Sequence, residues 1–251
     1  MSGAPHLPAF FSLVALDSIG STNEEALRRA RDGAAEGTMV GAREQTGGKG
    51  RRGRSWASPV GNLYTSLLLR PAVPPAEAAQ LGFVAAVALA EAIRPLLPPA
   101  RRLCCKWPND LLIDGAKTAG ILLETEAAAR AVKAVVLGMG VNVGNHPADT
   151  PYRATSLHAC GAGVTVEALL EGLAARLLHW YRLWQSDGFA VVRARWLDFA
   201  EGLGGPIEVR LDGATLKGRF AALDGTGALD LELADGRHRL VTAGDGFYPA
   251  A

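Results

Sequence analysis

The chain has 251 residues, 49% of them hydrophobic and 20% charged, with 26 Lys and Arg against 25 Asp and Glu. That length holds one large domain with a substantial core, or a domain plus a small module. A net charge of +1 argues against a protein that coats nucleic acid.

Cysteines 104, 105 and 160 are an odd number with two adjacent, so they form no disulfide framework, and no Cys-x-x-Cys or His-x-x-His spacing offers a zinc site. They read as small buried hydrophobes in a reducing compartment. The apolar start "LPAFFSLVAL" has no basic flank, since the first Lys or Arg is Arg28, and reads as a strand rather than a signal peptide.

"STNEEALRRAR" predicts a helix whose cap is Ser21 or Thr22, because Glu24 and Glu25 complete a capping box for either. "TMVGARE" and "NLYTSLLLR" read as strands on either side of a glycine-rich stretch. Ala76 to Ile93 predicts an Ala-rich helix ended by Pro95, and "RLCCKW" a strand stopped by Pro108. Asp114-Gly115 marks a hairpin turn between "DLLI" and "KTAGILLETE", and "AVKAVVLGMGVNV" is a further strand. Two helices follow, Val164 to Gln185 and Phe189 to Phe199. No apolar run is expected to span a membrane, because Glu91 interrupts "FVAAVALAEAI".

After Glu201 the texture changes to short strands, "IEVRL", "TLKGRFAAL", "ALDLEL" and "HRLVTA", with Asp-Gly turns at 212, 224 and 235. The expected fold class is α+β: a mixed, mostly antiparallel sheet flanked by helices over 1–200, and a small SH3-like β-barrel over 201–251.

The stretch "QTGGKGRRGRSW" holds four glycines, and Arg43 to Arg54 carries five basic residues against Glu44 alone. Gly48-x-Gly50-x-x-Gly53 spells the dinucleotide fingerprint, but Pro59 and Gly61 follow where a helix is required and Arg70 stands near the place of the acid. A P-loop fails too, since Gly48-Lys49 is followed by Gly50 and not Ser or Thr. A cationic loop that closes over phosphate fits better than a plain solvated loop: glycines let backbone amides approach, and arginine forks match phosphate oxygens. Ordering such a loop costs about 1–2 kcal/mol per residue, so it is expected to be disordered until ligand binds.

A second constellation is "KWPND", Lys106 to Asp110, with Lys117 and Gly120 beyond the hairpin turn. Pro108 sets a strand-end bend, where working side chains are common. Alone, Asn109-Asp110 reads as an Asx turn, Lys117 as an exposed hairpin lysine and Trp107 as core.

Together "STN", "GGKGRRGRSW", "KWPND", "KTAGILLE" and "GMGVNV" resemble, in order and spacing, the biotin protein ligases, over nearly the whole chain. Lys49 departs from the arginine the family often has. No room precedes Ser21 for the helix-turn-helix of regulatory members, so the form lacking it, and no DNA binding, is expected. The resemblance implies a class II synthetase-like catalytic domain that joins biotin to the α-phosphate of ATP with Mg²⁺ and releases pyrophosphate. The biotinyl group then passes to one lysine of a carrier, the biotin carboxyl carrier protein of acetyl-CoA carboxylase or a related carboxylase.

It further implies that Ser21, Thr22, Asn23, Gln45 and Gly48 hold the biotin ring, with Gly120 and Leu122 lining ring and tail. Arg51, Arg52, Arg54, Trp56, Asn109 and Asn142 would take the nucleotide, with Trp56 and Asn142 flanking adenine. Lys117 and Arg51 would touch both substrates at the reacting centre, and Asp110 would accept the proton of the incoming lysine. No resident metal site, a cytoplasmic location and no membrane are expected, with homodimerisation left open. A lipoate–protein ligase is the alternative enzyme. A nucleic-acid-binding module is the non-enzyme alternative, weakened because Trp56 is the loop's one aromatic and the tail offers only Phe220, Phe247 and Tyr248.

Overall fold

A computed structural model describes residues 5–127 and 131–248. Its centre is a seven-stranded sheet of β1 (Ser12–Ile19), β2 (Thr38–Gln45), β3 (Leu63–Leu69), β4 (Leu103–Lys106), β5 (Asp110–Ile113), β6 (Ala116–Ala127) and β7 (Val132–Val141). The spatial order is β1-β2-β3-β7-β6-β5-β4. Only β1 and β2 pair in parallel; every other neighbour is antiparallel, so the sheet is mixed and mostly antiparallel, as expected. β3 lies mid-sheet and is buried at every residue, which explains its nearly unbroken apolar run.

The parallel crossover from β1 to β2 is α1 (Thr22–Arg31). Ser21 is its cap: the Ser21 hydroxyl accepts the Glu24 N–H at 3.5 Å. Glu24 does not complete the box, because its carboxylate pairs with Lys49 instead. Arg70 donates to the carbonyls of Ala30 and Ala34 and so closes the far end of the helix. Ala26 and Ala30 pack against Val40, Leu68 and Val136 on one sheet face.

The remaining helices are α2 (Pro75–Ala78), α3 (Leu81–Ile93), α4 (Val166–Asp187) and α5 (Phe189–Asp198). The single helix expected from Ala76 is broken at Ala79–Gln80, where Gln80 turns inward and accepts from the Trp184 indole at 2.9 Å. Pro75–Leu96 is by length and composition apolar enough to cross a membrane, despite Glu91, but its most apolar 18-residue window is 72% buried in the protein.

The C-terminal strands β8 (Pro206–Leu211), β9 (Ala214–Leu223), β10 (Leu229–Glu232), β11 (His238–Val241) and β12 (Asp245–Phe247) form a second, antiparallel sheet ordered β11-β10-β9-β8-β12. β12 is not among the strands expected from sequence. Trp107, Trp196, Ile207 and Phe220 belong to one core that runs through both sheets. The Trp107 indole donates to the carbonyl of Gly227 at 3.3 Å, so the tryptophan of "KWPND" is a core residue tied to the second sheet. Burial pushes the Cys104 thiol up to about 12 and the Cys105 thiol higher still, so both stay protonated as core hydrophobes.

Candidate active site

Strands β6 and β7 build the floor. Gly120 pairs with Gly140 and Leu122 with Gly138 across them. The Trp56 ring lies on the first pair: a Cβ on Gly140 would fall 2.6 Å from its Nε1, and one on Gly120 would fall 3.1 Å from its Cζ3. Only glycine admits an aromatic ring so close to the sheet. A Cβ on Gly138 would likewise fall 2.1 Å from Asn23 Oδ1.

A cavity of about 100 Å³ opens above this floor. Ser21, Thr22, Asn23 and Gln45 close one end, while Arg51, Arg54, Trp56, Asn109, Asp110, Lys117, Gly120 and Leu122 line the rest. A neighbouring cavity of about 170 Å³ is bordered by Asn142, Asp149 and Thr150, and it shares Ser55, Trp56, Lys117 and Tyr152 with the first. Trp56 and Lys117 therefore stand between the two compartments.

Three of the expected site residues lie elsewhere. Gly48 lines neither cavity but packs beneath the first, where a Cβ would come within 2.5 Å of Ser58 Oγ and of the Trp56 carbonyl. Arg52, with φ at 56°, turns away toward Asp212 and Asp245 at 3.5 and 3.7 Å. Asn142 borders only the second cavity, and its amide donates to the Thr155 carbonyl at 3.0 Å.

The closed end carries a hydrogen-bond network. The Gln45 side-chain oxygen accepts the Thr22 N–H at 2.8 Å, so the Gln45 amide must turn its NH₂ outward, and one of those hydrogens reaches Ser58 Oγ at 3.0 Å. The second N–H is left for a ligand. The Thr22 hydroxyl lies 2.8 Å from Ser66 Oγ and 3.0 Å from Gln45 Oε1. Ser66 Oγ in turn lies 2.6 Å from Asn23 Oδ1, an atom that can only accept. Ser66 therefore gives its proton to Asn23, and the proton of Thr22 is used within the protein. Thr22 turns a lone pair to the cavity. Ser21, which accepts from Glu24, keeps its own proton to donate.

The other end is cationic. A bulge in the β5–β6 ladder lets Lys117 pair with Leu112 and Ala119 with Leu111, leaving Thr118 between them. The pairing with Leu112 puts Lys117 on the face of Asp110, two residues along β5, and the bulge brings Gly120 opposite Asp110 on that same face. Lys117 Nζ then sits 2.7 Å from Asp110 Oδ1. The Lys117 backbone is clamped on both sides, its N–H to Arg153 O at 2.8 Å and its carbonyl to Thr155 N–H at 2.9 Å. Arg51 donates to Asn109 Oδ1 at 3.1 Å, and Asn109 donates to the Ile121 carbonyl at 2.7 Å, which ties the arginine loop to "KWPND" and to β6. Burial lowers the affinity of Arg51 and of Lys106 for their protons, with Asp245 opposing it at Arg51 and Asp110 at Lys106.

The loop expected to be disordered is folded. Lys49 bridges to Ser55, Gly50 N–H donates to Arg54 O at 2.7 Å and Trp56 N–H to Gly48 O at 2.9 Å. Carboxylates relieve its like-charge repulsion: Glu24 pairs with Lys49, while Asp245 of β12 meets Arg51, Arg52 and Arg54. Asp245, Ser58, Ser66, Tyr152 and Glu124 are site residues that motif reading misses. Ser66 stands as a polar residue inside the apolar "LYTSLLL", and Glu124 ends "KTAGILLE", but neither place in the sequence reveals its partners.

A glycine-floored cavity with neutral donors and acceptors at one end and fixed cations at the other suits a ligand with a neutral polar head and an anionic end. The comparisons agree. Residues 16–142 match the biotin/lipoate A/B protein ligase family, and 202–245 match the biotin protein ligase C-terminal domain. The chain is 41% identical to the biotin–[acetyl-CoA-carboxylase] ligase of Paracoccus denitrificans over 91% of its own length and 97% of that protein. It is 35% identical to the bifunctional ligase/repressor BirA of Bacillus subtilis, over 92% of this chain and 72% of that one. The biotin protein ligase of Aquifex aeolicus, solved with biotin and ATP, has the same fold: TM-score 0.79 at 24% identity, over 94% of this chain and 97% of that one. The chain belongs to the biotin/lipoate A/B protein ligase family.

Proposed function

We infer that this chain is a biotin–protein ligase: it forms biotinyl-5′-AMP from biotin and ATP and passes the biotinyl group to a lysine of a carboxyl carrier domain. The observation that carries the choice of acid is the polarity of the closed end. A lone pair on Thr22 beside free protons on Ser21 and Gln45 matches the N–H and carbonyl of a cyclic urea. A dithiolane ring, as in lipoate, would leave those groups unpaired at a cost of about 1–3 kcal/mol each.

With the ring at that end, the valeryl tail runs over Gly120 and Leu122 toward Lys117. A carboxylate oxygen attacks the α-phosphorus and pyrophosphate leaves. Lys117, Arg51 and Arg54 neutralise two anions that otherwise repel, and Trp56 and Asn142 border the adenosine compartment. Magnesium would come with ATP as part of that substrate and would add to the neutralisation of the leaving pyrophosphate. In the second step the carrier lysine attacks the acyl carbon, AMP leaves, and Asp110 takes the lysine proton once Lys117 has turned to the phosphate. We assign residues 1–200 to this chemistry and 201–251 to the barrel whose Asp245 meets the arginine loop. The carrier protein of acetyl-CoA carboxylase is the proposed acceptor.

The test is exchange of labelled pyrophosphate into ATP. Exchange that requires biotin supports the reading; exchange driven equally by lipoate, or none, overturns it.

A further inference from the structure

Glu124 lies on β6, outside the residues bordering the cavity, yet its carboxylate accepts from Asn23 Nδ2 at 2.7 Å. The second hydrogen of that amide goes to the Leu122 carbonyl at 3.2 Å. Both acceptors face one side of the Asn23 amide, so its oxygen is forced toward Ser66, which must donate to it at 2.6 Å. Ser66 then has no proton to place on a Thr22 lone pair at 2.8 Å, while the Thr22 proton goes to Gln45 Oε1 at 3.0 Å. Each hydroxyl has one proton, so the direction set at Asn23 passes to the group that meets the ligand.

We propose that Glu124 is a positioning residue for acid selection: by fixing the Asn23 amide, it orders the chain Asn23–Ser66–Thr22 so that Thr22 offers a lone pair to a ring N–H. The inference rests on biotin as the acid and names the residue behind its recognition. Lys49, which also borders the cavity, pairs with Glu24, and the charge of Glu124 adds a smaller pull on its proton.

Three variants of the full chain test this by pyrophosphate exchange. Glu124→Leu removes the acceptor at similar bulk, Glu124→Gln keeps one in its amide oxygen, and Ser66→Ala cuts the relay one link on. Glu124→Leu is expected to raise the KM for biotin at least tenfold while the KM for ATP and kcat stay within about twofold. Glu124→Gln should recover most of the biotin KM, and Ser66→Ala should reproduce the biotin-selective loss. Glu124→Leu/Ser66→Ala should be no worse than the poorer single variant, because both act through one chain. An unchanged biotin KM in Glu124→Leu, equal losses for both substrates, or additive effects in the double variant would overturn the proposal. If Glu124→Leu does not fold, Ser66→Ala alone decides, by the same split between the two KM values. Wild-type exchange that does not need biotin would instead remove the functional reading itself.

Discussion

Lys117 Nζ and Asp110 Oδ1 are 2.7 Å apart, each side chain 17% exposed, at the junction of the two cavities. The carboxylate holds the cation where we propose that the acyl phosphate forms, and the clamped Lys117 backbone leaves only its side chain free to exchange partners.

Lys117→Ala should therefore lower the single-turnover rate of adenylate formation by about 10²–10³-fold, the loss of one charge-assisted contact in the transition state. The fold should survive, because Lys117 packs against Trp56, Tyr152 and Asp110 at the cavity and is not part of the hydrophobic core. An unaltered rate would refute the role.

Gly138→Ala is a test of the closed end. The new methyl would need to occupy the place of Asn23 Oδ1, 2.1 Å away. Asn23 must move and the relay to Thr22 breaks. Calorimetry should show biotin affinity falling more than tenfold, with stability lower by about 1–3 kcal/mol from overpacking. Native-like biotin binding would show that Asn23 does not organise that end.

Glu91 joins α3 to α4 and α5: it accepts from the Trp180 indole at 3.0 Å and from Arg195 at 2.8 Å. Burial alone would push its carboxyl up, but these hydrogen bonds and the arginine charge prevail and hold it below the usual value of 4.5. Its folded pKa is below its unfolded one, so its stabilisation is present above pH 4.5 and is lost as pH falls through the folded value. Glu91→Gln should cost about 1–2 kcal/mol in urea unfolding at pH 7, part-exposed Arg195 limiting the figure. The gap to wild type should narrow at pH 3; a gap independent of pH would contradict the charge argument.

Trypsin probes the arginine loop, whose four cationic side chains are tryptic sites held by Glu24, Asp212 and Asp245. Asp245→Asn should speed cleavage near Arg51, since the like charges lose their shared counter-ion. In wild type, biotin plus ATP at a hundred times the dissociation constant should protect by about a hundredfold, if they bind only the closed loop. Equal cutting with and without ligands would mean that the loop does not close on them.

Much of this was legible beforehand, for physical reasons that differ by residue. The α1 cap, the Asp114-Gly115 hairpin and the buried β3 are local patterns of period and turn chemistry. The cationic loop showed itself through charge that no core could take. Ser66 and Glu124 were not legible, because their meaning lies in partners 43 and 101 residues away. The bulge beside Thr118 was hidden as well: parity along a strand is easy to read, but a skipped register is a property of the pair. β12 escaped because three residues pair with β8 without any apolar alternation of their own.

The core shared by the two sheets has a consequence for how the chain holds together. A cut after residue 200 would take Phe220 from Trp196 and the Gly227 carbonyl from Trp107, whose neighbours Asn109 and Asp110 face the ligand cavity. Two matched family regions therefore need not be two melting units. Heat or urea should take the barrel and the larger sheet apart in one concerted event, and the free larger piece would carry a wound of exposed tryptophan directly behind its reaction centre.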